Sequence, residues 1–160
     1  MLDRLLADRR QGSDSYLEAV VKETLRLRPV VPAVVRRLQA PMTFGPWELP
    51  AGVHIAPSIY LMHRRADLYP QPLAFRPERF LGDDPPGTYE WIPFGGGVRR
   101  CLGASFAMFE MRVVLAAVLD SVRLRPASPR AAESVTRRAI TFAPSRGGRI
   151  AIGPQPASGH

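Results

Sequence analysis

The sequence predicts an α+β chain in which helices outweigh strands, on three observations. Segments 15–28 and 103–121 carry apolar residues at helical spacing. Between and after them lie short β-branched stretches bounded by turn residues. Seventeen prolines and thirteen glycines in 160 residues leave much of the remainder to turns and irregular coil.

The first helix opens at Ser15-Tyr-Leu-Glu18, which reads as a capping box satisfying two otherwise unpaired N–H groups. Leu17, Val20, Val21, Thr24 and Leu25 continue at helical spacing, and Arg28-Pro29 stops the run. Three short strands follow at Val34–Gln39, Met42–Phe44 and Val53–Ala56, the last fed by a turn at Leu49-Pro50-Ala51-Gly52. Ser58–Arg65 reads as a short helix. From Pro70 to Pro93 no period is sustained, yet Phe75, Phe80, Leu81, Tyr89, Trp91 and Ile92 make the segment too apolar for a disordered linker, so an ordered meander is expected. Residues 103–121 form the longest helix. Phe106, Phe109, Val113, Leu115, Ala116 and Leu119 lie on most of its sides, the pattern of a buried helix. Ala139–Ala143 and Arg149–Ile152, joined by Pro-Ser-Arg-Gly-Gly, read as a β-hairpin. The domain is expected to span 1–153, with 154–160 a disordered tail.

Composition narrows the function. The net charge is +8, carried almost wholly by arginine, with Lys22 the only lysine. Such a balance suits nucleic acid or an acidic partner, but the arginines are scattered in pairs with no interleaved aromatic stripe, which disfavours nucleic acid. The single cysteine excludes an internal disulfide, every multi-cysteine zinc pattern and a C-x-x-C-H haem attachment. No apolar run approaches the ~20 residues that span a bilayer.

That cysteine sits in Phe94-Gly-Gly-Gly-Val-Arg-Arg-Cys101-Leu-Gly103. Consecutive glycines let backbone approach a flat ligand closely. A position just before a long helix, beside Arg99 and Arg100, favours a thiolate over a thiol. An inert cysteine in a glycine-rich turn has the same local sequence. A phosphate-binding loop is set aside, because no Gly-Lys-Ser/Thr follows. From the residues alone Cys101 is a candidate thiolate ligand, with the bound group left open.

The segment FGGGVRRCLG resembles the haem-binding signature of the cytochrome P450 superfamily at all four anchors, Phe94, Gly97, Cys101 and Gly103, with Arg99 in the basic position. Two further landmarks of that family occur in order. Glu23-Thr-Leu-Arg26 resembles its E-x-x-R motif, and the i,i+3 spacing puts both charges on one helix face. Phe75-Arg-Pro77-Glu-Arg79-Phe80 resembles its P-E-R-F box. The resemblance covers about residues 3–152 and implies the C-terminal part of the P450 fold, with the N-terminal part absent.

It also implies roles. Cys101 would be the iron ligand of haem b, with Arg99 and Arg36 on the propionates. Arg37 is the neighbouring alternative to Arg36, and His54 a further group near a propionate. Phe94, Gly97 and Gly103 would shape the cofactor site. Glu23, Arg26 and Arg79 would form a structural triad that locks the meander, and His63 lies in a segment that resembles a structural one of the family. Pro32, Ala33 and Val34 would line the substrate pocket, with Ser134–Arg138 resembling a second substrate-contact segment. The implied activity is a haem-thiolate monooxygenase that inserts one atom of O2 into a small apolar organic substrate, fed by an acidic redox partner such as a ferredoxin or a reductase. The family's oxygen-activating helix lies upstream of the E-x-x-R helix, so the activity of this chain alone is not expected. The alternative is a non-catalytic haem-binding or protein-interaction fragment. An Arg- and Ala-rich composition suits a GC-rich bacterial genome, and with it a cytoplasmic location.

Overall fold

A computed structural model describes residues 1–127 and 133–154. Helix α1 (Leu2–Arg10) leads into α2 (Ser15–Leu27). Strands β1 (Arg36–Arg37), β2 (Met42–Phe44), β3 (Trp47–Leu49) and β4 (His54–Ile55) form two small antiparallel pairs, β1 with β4 and β2 with β3. After the short helix α3 (Ile59–Met62), the chain runs in coil through a 3-10 turn at Pro77–Phe80 to the long helix α4 (Ala104–Ser121). Strands β5 (Val122–Pro126), β6 (Val135–Arg138), β7 (Thr141–Pro144) and β8 (Ile150–Pro154) close the chain.

The expected helices are present, but the start of α2 differs in detail. Asp14, not Ser15, is its N-cap, and no side-chain cap bond is made there. The Tyr16 N–H donates to Asp8 Oδ2 at 3.0 Å and the Ser15 N–H to Ser13 Oγ at 3.2 Å. Residues ahead of the helix thus satisfy the unpaired donors, and Glu18 is left to pair with Lys22. At the other end α2 stops before Pro29, which cannot supply the next helical N–H.

The core is the junction of α1, α2, α4 and β5. Leu5, Tyr16, Leu17 and Leu119 are buried there, with Leu115, Ala116 and Leu124 packed against them. Helix α4 does not match its expected burial. Only Ala104 and Leu119 are buried, while Phe106, Phe109, Val113 and Val114 are exposed. Its apolar surface runs most of the way round, and α2 with β5 cover one side of it.

The C-terminal hairpin forms from different strands than expected. β7 pairs with β6, Thr136 opposite Ala143, and β8 pairs with β5, Leu124 opposite Ile152. Ala139, at φ 53°, and Ile140 make the tight turn between β6 and β7. The glycines after Pro144 therefore carry the chain from one sheet to the next instead of folding it back on itself. Pro154, expected in the tail, lies opposite Val122 in β8, and residues 155–160 fall outside the described ones. Among the described residues no helix is long and apolar enough to cross a membrane.

Candidate functional site

Two features dominate, a buried charge cluster and an open apolar cleft beside it. Glu23 and Arg26 project from the same face of α2 and are fully buried. Arg26 Nε donates to Glu23 Oε2 at 2.6 Å and Nη2 to Glu23 Oε1 at 2.9 Å, the fork geometry that suits a guanidinium and a carboxylate. The remaining N–H groups of Arg26 go to backbone: Nη1 to the carbonyls of His63 and Pro72, Nη2 to that of Ala74. All five guanidinium donors are thus used. Glu23 Oε1 also accepts the Arg76 N–H at 2.8 Å and Arg79 Nε at 3.4 Å, while Arg79 Nη2 donates to the Gln71 carbonyl at 2.9 Å. Glu23, Arg26 and Arg79 are therefore together, and between them they hold residues 71–79 onto α2.

From this cluster an aromatic chain runs to the cysteine loop. Phe80, at the end of the 3-10 turn, meets Trp91 edge-on, and Trp91 meets Phe94 in the same way. The Trp91 indole N–H is anchored on the Lys22 carbonyl at 3.0 Å, which returns the chain to α2. The Cys101 N–H then donates to the Phe94 carbonyl at 2.9 Å, closing the loop. Gly95 and Gly97 take φ values of 75° and 62°, where a Cβ is strained, although a side chain at either would meet nothing within 4 Å. Backbone conformation, not crowding, requires glycine there. A Cβ on Gly103, the N-cap of α4, would sit 3.9 Å from the Cys101 sulfur.

The loop forms one wall of a cleft of about 780 Å³ whose lining is mostly apolar. Phe94, Gly97, Arg99 and Cys101 stand on that wall, with Val30, Val31, Val34 and Arg36 facing them. The Cys101 thiol is exposed. Neither Arg36 nor Arg99 pairs with a carboxylate among the described residues. Strand alternation separates the two candidate arginines of β1: Arg36 lines the cleft and Arg37 does not. His54 lies opposite Arg37 in the strand pair and also stays outside the cleft.

The residues expected on the pocket wall divide between the cleft and the α3 side. Val34 lines the cleft, but Pro32 and Ala33 do not. The Pro32 carbonyl accepts the Tyr60 N–H, and Ala33 bridges to Ser58, so both are committed to the α3 side. Val30 and Val31 take their place. Residues 134–138 likewise stay off the cleft, and it is the Phe142 N–H of β7 that reaches the Val30 carbonyl, at 2.7 Å.

The sequence assigns His63 no specific contact, and the structure places it in the buried cluster around Arg26. It is fully buried, 6.2 Å from the Tyr69 ring. Its Nδ1 is 3.1 Å from the Arg26 carbonyl, and its Nε2 accepts the Ile92 N–H at 2.9 Å. Backbone partners leave no pattern in a sequence, so the family resemblance of its segment is the one signal that marks it. Burial pushes its pKa down from 6.5 to about 4, with the nearby Arg26 and Arg64 charges acting the same way against the Arg26 carbonyl bond. The unfolded chain takes up this proton near pH 6.5 and the folded chain resists it until about pH 4. The neutral ring's stability is therefore fully present above 6.5 and lost as pH falls through that window, by up to about 3 kcal/mol. Urea unfolding at pH 7 and pH 4.5 is expected to show this acid loss in the parent and not in His63→Gln. The same slope in both would assign it to other groups.

The family profile described as Cytochrome P450 matches residues 12–148. The chain is 48% identical over 141 residues to cytochrome P450 135B1 of Mycobacterium tuberculosis, covering 88% of this chain and 29% of that one. It is 41% identical over 153 residues to cytochrome P450 137 of the same organism, covering 96% and 32%. Among solved structures it superposes on the retinoic-acid-bound cyanobacterial CYP120A1 with a TM-score of 0.78 at 31% identity, covering 88% of this chain and 32% of that chain. The chain thus spans about a third of the length of the curated relatives it matches.

Proposed function

The chain belongs to the cytochrome P450 family, and on that premise we propose that its cleft is the cysteine side of a haem-thiolate monooxygenase site. One observation carries the reading: a lone exposed cysteine, two arginines without carboxylate partners among the described residues and a glycine-rich wall converge on one apolar cleft. The donor set fits haem b. A thiolate is a ligand for its iron, two guanidiniums match two propionates, and an apolar wall suits the porphyrin face.

In this reading Cys101 holds the iron, Arg36 and Arg99 fix the orientation of the ring through its propionates, and Gly97 lets backbone lie close to it. Gly103 leaves the flank of the sulfur open. When bound, haem supplies dioxygen activation, because electron donation from a thiolate ligand favours O–O cleavage. Val30, Val31 and Val34 make the lining apolar and suit a small apolar organic substrate. In haem-loaded protein expressed at the full length of its P450 relatives the test is ¹⁸O2 turnover with apolar probes, beginning with retinoic acid, the ligand of the cyanobacterial neighbour. One labelled atom in the product supports the monooxygenase. Haem binding without incorporation from any probe favours a non-catalytic haem module.

We assign electron delivery to an acidic ferredoxin or reductase in the cytoplasm, approaching the face that carries Arg100. Arg99 lines the cleft and Arg100 does not. Arg99→Ala is therefore expected to lower haem content at any ionic strength. Arg100→Ala should keep haem but slow reduction by an acidic partner at low salt, with the deficit shrinking as salt is raised. Stopped-flow reduction at two ionic strengths checks both. Equal haem loss in the two variants would contradict the assignment.

A further inference from the structure

We propose that His63 is a positioning residue for the Cys101 loop, passing the placement of α2 through its ring to the segment that carries Phe94. The inference rests on the haem-thiolate reading of Cys101 and adds a residue to it that touches neither cleft nor sulfur.

The Ile92 amide fixes the tautomer of the His63 ring. A backbone N–H has only a proton to offer, so Nε2, which meets it at 2.9 Å, must be the unprotonated nitrogen. The ring proton then sits on Nδ1 and is donated to the Arg26 carbonyl, 3.1 Å away. Both contacts are to main chain, and a rigid ring joins them, so the separation of α2 and Ile92 is set by the imidazole. Arg26 is held at its other end by the buried fork with Glu23, and it donates back to the His63 carbonyl at 2.6 Å. The Arg26–His63 unit is thus closed from both sides and fully buried.

Two residues beyond Ile92 is Phe94, whose carbonyl holds the Cys101 N–H. Ile92, Pro93, Phe94 and Cys101 all line the cleft. A shift of Ile92 therefore moves the acceptor that anchors the cysteine, and with it the sulfur. The Phe80–Trp91–Phe94 aromatic contacts support the same segment from the other side but carry no directional bond to Ile92. His63 supplies that bond.

The two amide residues separate a positioning role from mere filling of space. Glutamine reaches as far as Nε2 and offers an oxygen to the Ile92 N–H. Asparagine ends level with Nδ1 and replaces only the bond to Arg26. His63→Gln, His63→Asn and His63→Leu would be compared with the parent in the haem-loaded protein. Three readouts are used: hydrogen exchange at the Ile92 amide, the thiolate fraction in the ferrous carbonyl spectrum, and the haem dissociation rate. Loss of one such bond is expected to raise both rates about tenfold in the Asn and Leu variants and to reduce the thiolate fraction, with Gln close to the parent. An Asn variant that fails to fold where Gln folds supports the same conclusion. Equal behaviour of Gln and Asn, failure of both to fold, or a Leu variant with the parent's exchange and spectrum overturns it. A parent without any thiolate signature overturns the haem reading and this inference together, whereas a normal parent with unaffected variants overturns this inference alone.

Discussion

Arg26→Ala is expected to destabilise the chain by about 3–5 kcal/mol. The size follows from what is left behind. Glu23 would lose the guanidinium that both its oxygens face, and the carbonyls of His63, Pro72 and Ala74 would lose their donors. The contrast is Glu18 with Lys22 on the outer face of the same helix, part-exposed and worth about 0.3–0.5 kcal/mol. Arg26→Lys keeps the charge but has three donors for five acceptors, so it should recover only part of the loss. Glu23→Ala strands Arg26 in turn and should cost about as much. Arg79→Ala should cost less, because its bond to Glu23 is long at 3.4 Å. Each variant should also retain less haem, since residues 71–79 carry the support of Phe80 and the cysteine loop. Urea denaturation of the single and double variants is the measurement. A double loss far below the sum is expected for one shared network, and full additivity would mean that the three residues act separately.

How legible this was in the sequence depends on the kind of interaction. Local signals read well: α2 ends where Pro29 denies it an N–H, and the Glu23/Arg26 spacing put both charges on one face. The convergence of Phe94, Arg99 and Cys101 was legible because they share one short loop. Contacts to backbone were not. The Arg26 bonds to Pro72 and Ala74, the His63 bonds to Arg26 and Ile92, and the Trp91 bond to Lys22 all end on main-chain atoms. Any residue at those positions would offer the same partner. Strand pairing failed for a related reason, since Ile150–Pro154 alternates as well against Val122–Pro126 as against the nearer Thr141–Pro144. Choosing Val30 and Val31 over Pro32 and Ala33 needed the bridge from Ala33 to Ser58, which depends on where α3 sits. The burial of α4 was misread because periodicity reports which sides are apolar and not whether a neighbour is there to cover them.

Cys101→Ser is expected to abolish thiolate ligation outright. A serine hydroxyl is a harder ligand and far more weakly acidic than a thiol, so it offers iron no comparable anion near neutral pH. The rest of the site should persist, because the Cys101 bond to Phe94 is made by backbone and Arg36 and Arg99 stand on the cleft independently of the sulfur. Haem content should therefore fall less steeply than the spectral signature changes. The measurement is absorption of the ferrous carbonyl complex of haem-loaded parent and Cys101→Ser protein, recorded at equal haem. A thiolate-type band in the parent that disappears in the variant is the expected result. An unchanged thiolate-type band in Cys101→Ser would contradict the assignment of this cysteine to the iron.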